Sequence, residues 1–179
     1  MCRILPAIES LNQYLSYLNH HADADRPPHC PRCDFYKVWR HGHYLRKADR
    51  EGEDGVYLDP VPIPRFYCCD CERTFSRLPA CIAPRRWYLW ATQQAILVLL
   101  LNGYSLHKVA RMYRPGRRTI SRWWWDLKSK FQEHSFHLRS RFSELGRHLC
   151  FSSFWSACLQ RMSLADAMGW LERDGMVIP

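Results

Sequence analysis

Cys30-Pro31-Arg32-Cys33 and Cys68-Cys69-Asp70-Cys71 are two Cys-x-x-Cys turns with residues 34–67 between them. Each turn can present two thiolates, and two such turns joined by a small sheet make the tetrahedral four-sulfur site that zinc prefers. Cys30, Cys33, Cys68 and Cys71 are therefore the expected ligands of one structural Zn2+. Cys69 competes with Cys68, but its Cys-x-Cys spacing to Cys71 makes a poorer two-thiolate turn, and His29 is a weaker rival beside Cys30. A single pair would suit a redox dithiol; two pairs in one basic, strand-rich block argue against that. A closed four-thiolate site leaves no open coordination position, so the ion should hold the fold and perform no chemistry. His41-Gly42-His43, between the turns, would share a strand face as in a nuclease-type metal site, yet the sequence locates no third ligand and no general base.

Outward from these turns, residues 29–83 read as a zinc ribbon of strands and turns, with a polar, acidic excursion over Lys47–Asp59. Residues 1–28 read as a short helix over 8–19, capped by Ser10, followed by a linker over His20–Pro28. From Pro84 the pattern becomes helical. An apolar helix over Trp87–Leu101 stops at Asn102-Gly103, a second runs from the cap Ser105 to about Tyr113, Arg114-Pro115-Gly116 turns, and a third runs from about Arg118 to Phe131. Residues 84–131 thus form a three-helix unit. Residues 132–179 form a short helical C-terminal segment, with helices expected around Phe151–Gln160 and from Ser163, where Ser163 and Asp166 have capping-box spacing. The expected fold is mainly α with a small β zinc ribbon.

The formal charge is +9, and its distribution is informative. Lys and Arg number 2 against 3 acids in residues 1–29, 19 against 9 in residues 30–131, and 5 against 5 in residues 132–179. The excess lies wholly in the middle segment, where it would attract a polyanion, nucleic acid foremost. With 47% hydrophobic and 14% aromatic residues, the chain can bury a core. The longest apolar run, Ala95–Leu101, is far short of the roughly 18–20 residues that span a bilayer. No signal peptide follows Met1–Pro6, so a cytoplasmic protein with no membrane partner is expected, its nine cysteines serving as ligands and thiols and not as disulfides.

The helical spacing over residues 88–130 is that of a helix-turn-helix. Leu106, Val109 and Ala110 would form the buried stripe of its second helix, and Ile120, Trp124 and Leu127 that of its third. This leaves Arg117, Arg118, Thr119, Ser121 and Arg122 at the outward, N-terminal end, which recognition helices set against base edges of double-stranded DNA. Arginine makes bidentate bonds to guanine, and the hydroxyls reach bases or phosphates. Between Lys108 and Lys130 there are eight Lys or Arg and one acid, Asp126. Trp123 and Trp125 are expected to pack within the protein rather than stack on bases.

The run Cys30-Pro31-Arg32-Cys33, Val38, His41-Gly42, Arg46, Arg65-Phe66-Tyr67-Cys68, Cys71 and Arg73-Thr74-Phe75-Ser76 resembles the N-terminal zinc ribbons of insertion-sequence transposases and their accessory proteins. Gly103-Tyr104-Ser105, Val109-Ala110-Arg111 and Thr119-Ile120-Ser121-Arg122 resemble their helix-turn-helix. The resemblance covers about residues 29–130 and implies binding to the terminal repeats of a mobile element. It leaves the C-terminal segment to contact a transposase or another protein of the same element. That segment is too short for an RNase-H-like catalytic domain, and its acids Glu133, Glu144, Asp166, Glu172 and Asp174 fall on a helical tail. No catalytic residue is expected. The leading reading is a non-catalytic DNA-binding accessory factor, target selector or repressor. The alternative is a protein–protein adaptor docking onto a larger nucleoprotein complex through the ribbon and through Phe151, Phe154, Trp155 and Trp170.

Overall fold

A computed structural model describes residues 4–5, 8, 10–20, 26–47, 58–83 and 88–176. Most of the Lys47–Asp59 excursion and of the His20–Pro28 linker lies outside the described residues. The chain divides into two compact units, Met1–Leu89 and Trp90–Pro179. Together they hold seven α-helices and a three-stranded antiparallel sheet among the described residues.

The first unit contains β1 (Ile4–Leu5), α1 (Leu11–His20), β2 (Val38–Arg46), β3 (Val61–Cys68), β4 (Thr74–Ser76) and β5 (Leu78–Pro79). Ser10 caps α1 by accepting from the Gln13 N–H at 3.2 Å, which satisfies one of the donors a helix start leaves open. The buried Leu11 and Tyr14 of α1 pack with Val61, Ile63, Leu78, Cys81 and Ile82. β2, β3 and β4 form the antiparallel sheet, and β1 pairs with β5 in parallel. β3 is the central strand yet carries Pro62 and Pro64, residues that cannot donate to a ladder. They are tolerated because β4 pairs only with Arg65–Tyr67, so the prolines face a partner on the β2 side alone. The β2–β3 register shifts between Arg40 and His43, with Gly42 in the left-handed region at φ +71°. This bulge breaks the strand alternation on which a shared His41/His43 face depends.

The second unit consists of α2 (Trp90–Leu101), α3 (Leu106–Met112), α4 (Arg117–Ser129), α5 (Phe131–Arg141), a 3-10 turn (Ser143–Arg147), α6 (Phe151–Arg161) and α7 (Leu164–Arg173). Trp87 lies outside the described residues, and Tyr88 and Leu89 are not helical, so the first helix begins at Trp90. α2 contacts α3, α4, α6 and α7, as a mostly apolar helix without a distinct polar face should when it sits at the centre of a bundle. It ends in a Schellman turn: Tyr104 N–H donates to Leu99 O and Gly103 N–H to Leu100 O, both at 3.1 Å, with Gly103 at φ +84°. Ser105 caps α3 through the Lys108 N–H at 3.2 Å. Ser163 caps α7 through the Asp166 N–H at 3.1 Å, and the Gln94 side chain of α2 accepts from the Leu164 N–H at 2.7 Å.

Three expectations are corrected here. The third helix of the unit stops at Ser129, not Phe131; Lys130 leaves helical geometry, and Phe131 opens α5. α5 escapes a periodicity reading because its buried face is His134, Ser135 and Leu138, two of them polar. The buried stripe of α4 is Ile120, Trp123 and Leu127, with Trp124 half-buried. Trp124 is turned aside to meet Phe151 of α6 edge-on at 5.2 Å, a contact that exists only because the C-terminal helices fold back. Of the aromatic residues offered for docking, two are internal and two are half-buried. Phe154 and Trp155 are fully buried, Phe151 also meets Phe131, and Trp170 packs against Phe142 between the guanidinium groups of Arg141 and Arg173.

Burial of His134 has a measurable consequence. Its ring meets Trp155 edge-on at 6.1 Å, and neither nitrogen has a hydrogen-bond partner. Burial first, then the charges of Lys130 and His137, lower its pKa to about 4. The folded protein holds this imidazole neutral, whereas the unfolded chain protonates it below about pH 6.5, so stability is full above that value and falls as pH drops towards 4. Urea unfolding followed by tryptophan fluorescence should show a loss of about 2 kcal/mol between pH 7.5 and pH 5. His134→Leu should flatten that slope, and an unchanged slope in the variant would place its origin elsewhere.

Candidate metal centre and nucleic-acid interface

The two cysteine turns are built alike. Cys30 N–H donates to Phe35 O at 2.9 Å, and Cys68 N–H donates to Arg73 O at 3.1 Å, so each turn is closed by a bond from its first cysteine to the residue five further on. The residue after each second cysteine takes a left-handed backbone, Asp34 at φ 58° and Glu72 at φ 52°. That conformation is unfavourable for residues with a Cβ and persists only where the surroundings demand it. Cys68 therefore occupies the place of Cys30 and Cys71 that of Cys33, while Cys69 corresponds to Pro31. Cys69 is exposed, and its N–H donates to Lys37 O at 3.2 Å.

This equivalence brings the sulfurs of Cys30, Cys33, Cys68 and Cys71 within 4.8 Å of one another. The Cys30–Cys71 pair stands at 3.8 Å and the Cys33–Cys68 pair at 3.5 Å. An ion bonded at about 2.3 Å to four sulfurs in a tetrahedron holds them about 3.8 Å apart, so the cluster fits a metal. Backbone donors point at the sulfurs. Arg32 N–H reaches Cys30 Sγ at 3.4 Å, Phe35 serves Cys33, Asp70 and Cys71 serve Cys68, and Arg73 serves Cys71. The Phe35 N–H acts to lower the Cys33 thiol, but burial and the neighbouring thiols outweigh it and push it up to about 12. Burial raises Cys68, yet the Cys71 and Asp70 N–H groups and the other thiols bring it down to about 7. One thiolate forms readily among four crowded sulfurs, and its charge opposes the next unless a cation intervenes.

Among the described residues no other group of three His, Cys, Asp or Glu ligand atoms gathers in this way, so His29, His41 and His43 do not join a metal cluster. His41 instead lies against Tyr67, ring centroids 6.0 Å apart. Cys81 and Cys158 are buried thiols pushed up to about 11 and about 12 by that burial. No helix among the described residues is long and apolar enough to cross a membrane.

In the second unit the buried stripe of α4 sets what its other side can do. With Ile120, Trp123 and Leu127 inside, Arg117, Arg118 and Arg122 are exposed and Thr119 and Ser121 half-exposed. These five residues and Trp125 line one shallow concavity of about 770 Å³. The first turn of α4 carries no acid, so its N–H groups and their dipole add positive potential at the same end. None of Arg117, Arg118 and Arg122 has an ion-pair or ring partner among the described residues. The arginines of the C-terminal helices contrast with them: Arg141 binds Asp174, Arg161 binds Glu144, and Arg139 donates to His148 O and covers Phe154. Trp125 was expected inside the protein and is 64% exposed. Its spacing to Arg118, Ser121 and Arg122, at i+7, i+4 and i+3, is the sequence signal that places it on their face.

A family model described as a domain of unknown function, DUF6431, matches residues 30–123, more than half of the chain. The chain belongs to the DUF6431 family. No curated protein and no solved structure matches it. The DUF6431 match opens on the first cysteine of the metal cluster and closes on Trp123, the central buried residue of α4. It therefore takes in both cysteine turns and most of α2–α4, and leaves out α5–α7.

The equivalence of the two turns is testable by metal analysis. Purified DUF6431 chain should carry about one metal ion, and Ser at position 30, 33, 68 or 71 should bring the content towards zero and lower the unfolding temperature. Cys69→Ser should change neither. Full metal in Cys68→Ser with loss in Cys69→Ser would reverse the assignment.

Proposed function

We propose that this chain is a zinc-dependent, non-catalytic protein that binds double-stranded DNA, with α3 and α4 forming a helix-turn-helix in which α4 reads the major groove. The observation that carries this reading is the outward face of α4, where Arg117, Arg118 and Arg122, unpaired among the described residues, and the hydroxyls of Thr119 and Ser121 border one concavity opposite a fully apolar stripe. A generic helical hairpin has no reason to leave three guanidinium groups unpaired on one face while Arg139, Arg141, Arg161 and Arg173 of α5–α7 are engaged by carboxylates, a carbonyl and rings. α3 and α4 are in contact, separated by the short bend over residues 113–116 that ends at the Gly116 cap. Guanidinium forks match guanine O6 and N7, and the positive helix end favours phosphate.

The metal we assign is one Zn2+ held by Cys30, Cys33, Cys68 and Cys71. Four thiolates suit zinc above the harder cations, and with all four positions filled the ion supplies fold stability and no reactive water. Its charge would let all four sulfurs ionise together. Three of the five acids of the C-terminal segment have structural partners: Asp174 with Arg141 and His137, Glu144 with Arg161, and Asp166 with Ser163. The mobile-element context, as accessory factor, target selector or repressor, rests on the resemblance of the cysteine turns and of α3–α4 to transposase modules. A transposase or other partner of the same element meeting the C-terminal helices would use Phe136 and Leu149, which are exposed, and not Phe154 and Trp155, which are buried in the core.

Fluorescence anisotropy on selected and scrambled duplexes across salt concentrations tests the reading. Arg118→Ala and Arg122→Ala should each weaken the selected duplex by about 1–3 kcal/mol and relax its specificity. Lys128→Ala should weaken all sequences alike and reduce the salt slope by about one unit. Unchanged binding in the Arg118→Ala, Arg122→Ala double variant would remove α4 as the reader.

A further inference from the structure

The three consecutive tryptophans of α4 have different fates. Trp123 is 3% exposed in the core, and Trp124 lies edge-on against Phe151 with Lys128 Nζ 4.9 Å from its ring. Trp125 does neither: it projects from the basic face beside Ser121 and Arg122 and completes the concavity there. The one ring contact it makes among the described residues is the distant ammonium of Lys128 at 5.9 Å. A large apolar ring exposed at the end of a concavity lined by arginines and hydroxyls is placed to meet an apolar group of whatever binds there.

Resting on the reading of α4 as a major-groove helix, we infer that Trp125 is a specificity-determining residue that recognises the C5-methyl group of a thymine. The chemistry of the groove narrows the choice. Its base edges offer carbonyl and ring-nitrogen acceptors and amino donors, which the guanidinium and hydroxyl groups of this face can satisfy, and a single apolar feature, the thymine methyl. The six residues of the concavity hold one large apolar side chain. Matching apolar to apolar assigns the indole to the methyl and leaves the arginines for guanine and phosphate. Because Trp125 follows Arg118 by two helical turns and Arg122 by one, the thymine it meets lies within the same half-site as the bases those arginines contact.

The test removes that methyl and nothing else. A preferred duplex is selected from a random-sequence pool with the intact chain, and its thymines are replaced one at a time by deoxyuridine. At one position the replacement should weaken wild-type binding about fourfold, the effect of one buried methyl. Trp125→Ala should weaken the parent duplex by at least as much and be indifferent to the same replacement, while Trp125→Phe should retain part of the discrimination. Indifference of the wild type to every replacement, with Arg118→Ala still weakening the parent duplex, would overturn the role of Trp125 and leave DNA reading by α4 intact. If Arg118→Ala is also without effect, the reading of α4 itself fails. Should Trp125→Ala instead convert a sedimenting dimer into a monomer with no loss of thymine discrimination, the ring serves a second copy of this chain and the inference is wrong.

Discussion

Four sulfurs drawn within 4.8 Å of one another are a charge problem before they are a binding site, and the first unit is organised around it. Each thiolate repels the next, so backbone N–H groups are aimed at the sulfurs, and Asp34 and Glu72 adopt left-handed conformations so that both turns close in the same way. The local core has the same composition: of its four buried residues, Cys30, Val38, Phe66 and Cys68, two belong to the sulfur cluster. A cluster so small buries too little apolar surface to hold the two cysteine turns together alone, the usual circumstance in which a bound metal supplies folding energy. A metal in this position would join the end of β3 to the loop before β2.

The second unit solves a different problem, that of presenting a face. α2 is mostly apolar and is covered by α3, α4, α6 and α7, and this central packing turns Ile120, Trp123 and Leu127 inward. The outward position of the arginines is a consequence of that burial. The C-terminal helices then act as scaffold. Arg139, Arg141, Arg161 and Arg173 are absorbed by Asp174, Glu144 and the rings of Phe154, Phe142 and Trp170, whereas Arg117, Arg118 and Arg122 of α4 have no such partner among the described residues. The even charge balance of residues 132–179 includes two local ion pairs, Arg141 with Asp174 and Arg161 with Glu144.

Signals that depend on neighbours in sequence were legible. The Cys-x-x-Cys turns converge, and Ser10, Ser105 and Ser163 cap α1, α3 and α7 because a hydroxyl three residues before an open N–H acts locally. Asn102-Gly103 ends α2 for the same kind of reason. Signals that depend on distant packing were not. Three adjacent tryptophans give a helical period nothing to phase on, and Phe151, beyond α5, decides that Trp124 leaves the buried stripe. α5 was hidden by the polarity of His134 and Ser135 on its buried side, and the parallel pairing of Ile4–Leu5 with Leu78–Pro79 joins segments too short and too far apart to announce one another. Trp125 was misjudged because aromatic residues are usually internal; its place among Arg118, Ser121 and Arg122 was readable from spacing once the phase of α4 was known.

The central claim is that the arginine face of α4 is where this protein meets duplex DNA. Titration of the isotopically labelled, metal-loaded chain with a selected duplex, followed by amide and indole NMR shifts, tests it most directly. The account expects the largest changes at the amides of Arg117–Arg122 and at the Trp125 indole, with α5–α7 little affected. Saturable binding that leaves α4 unchanged and moves α5–α7 instead would contradict it.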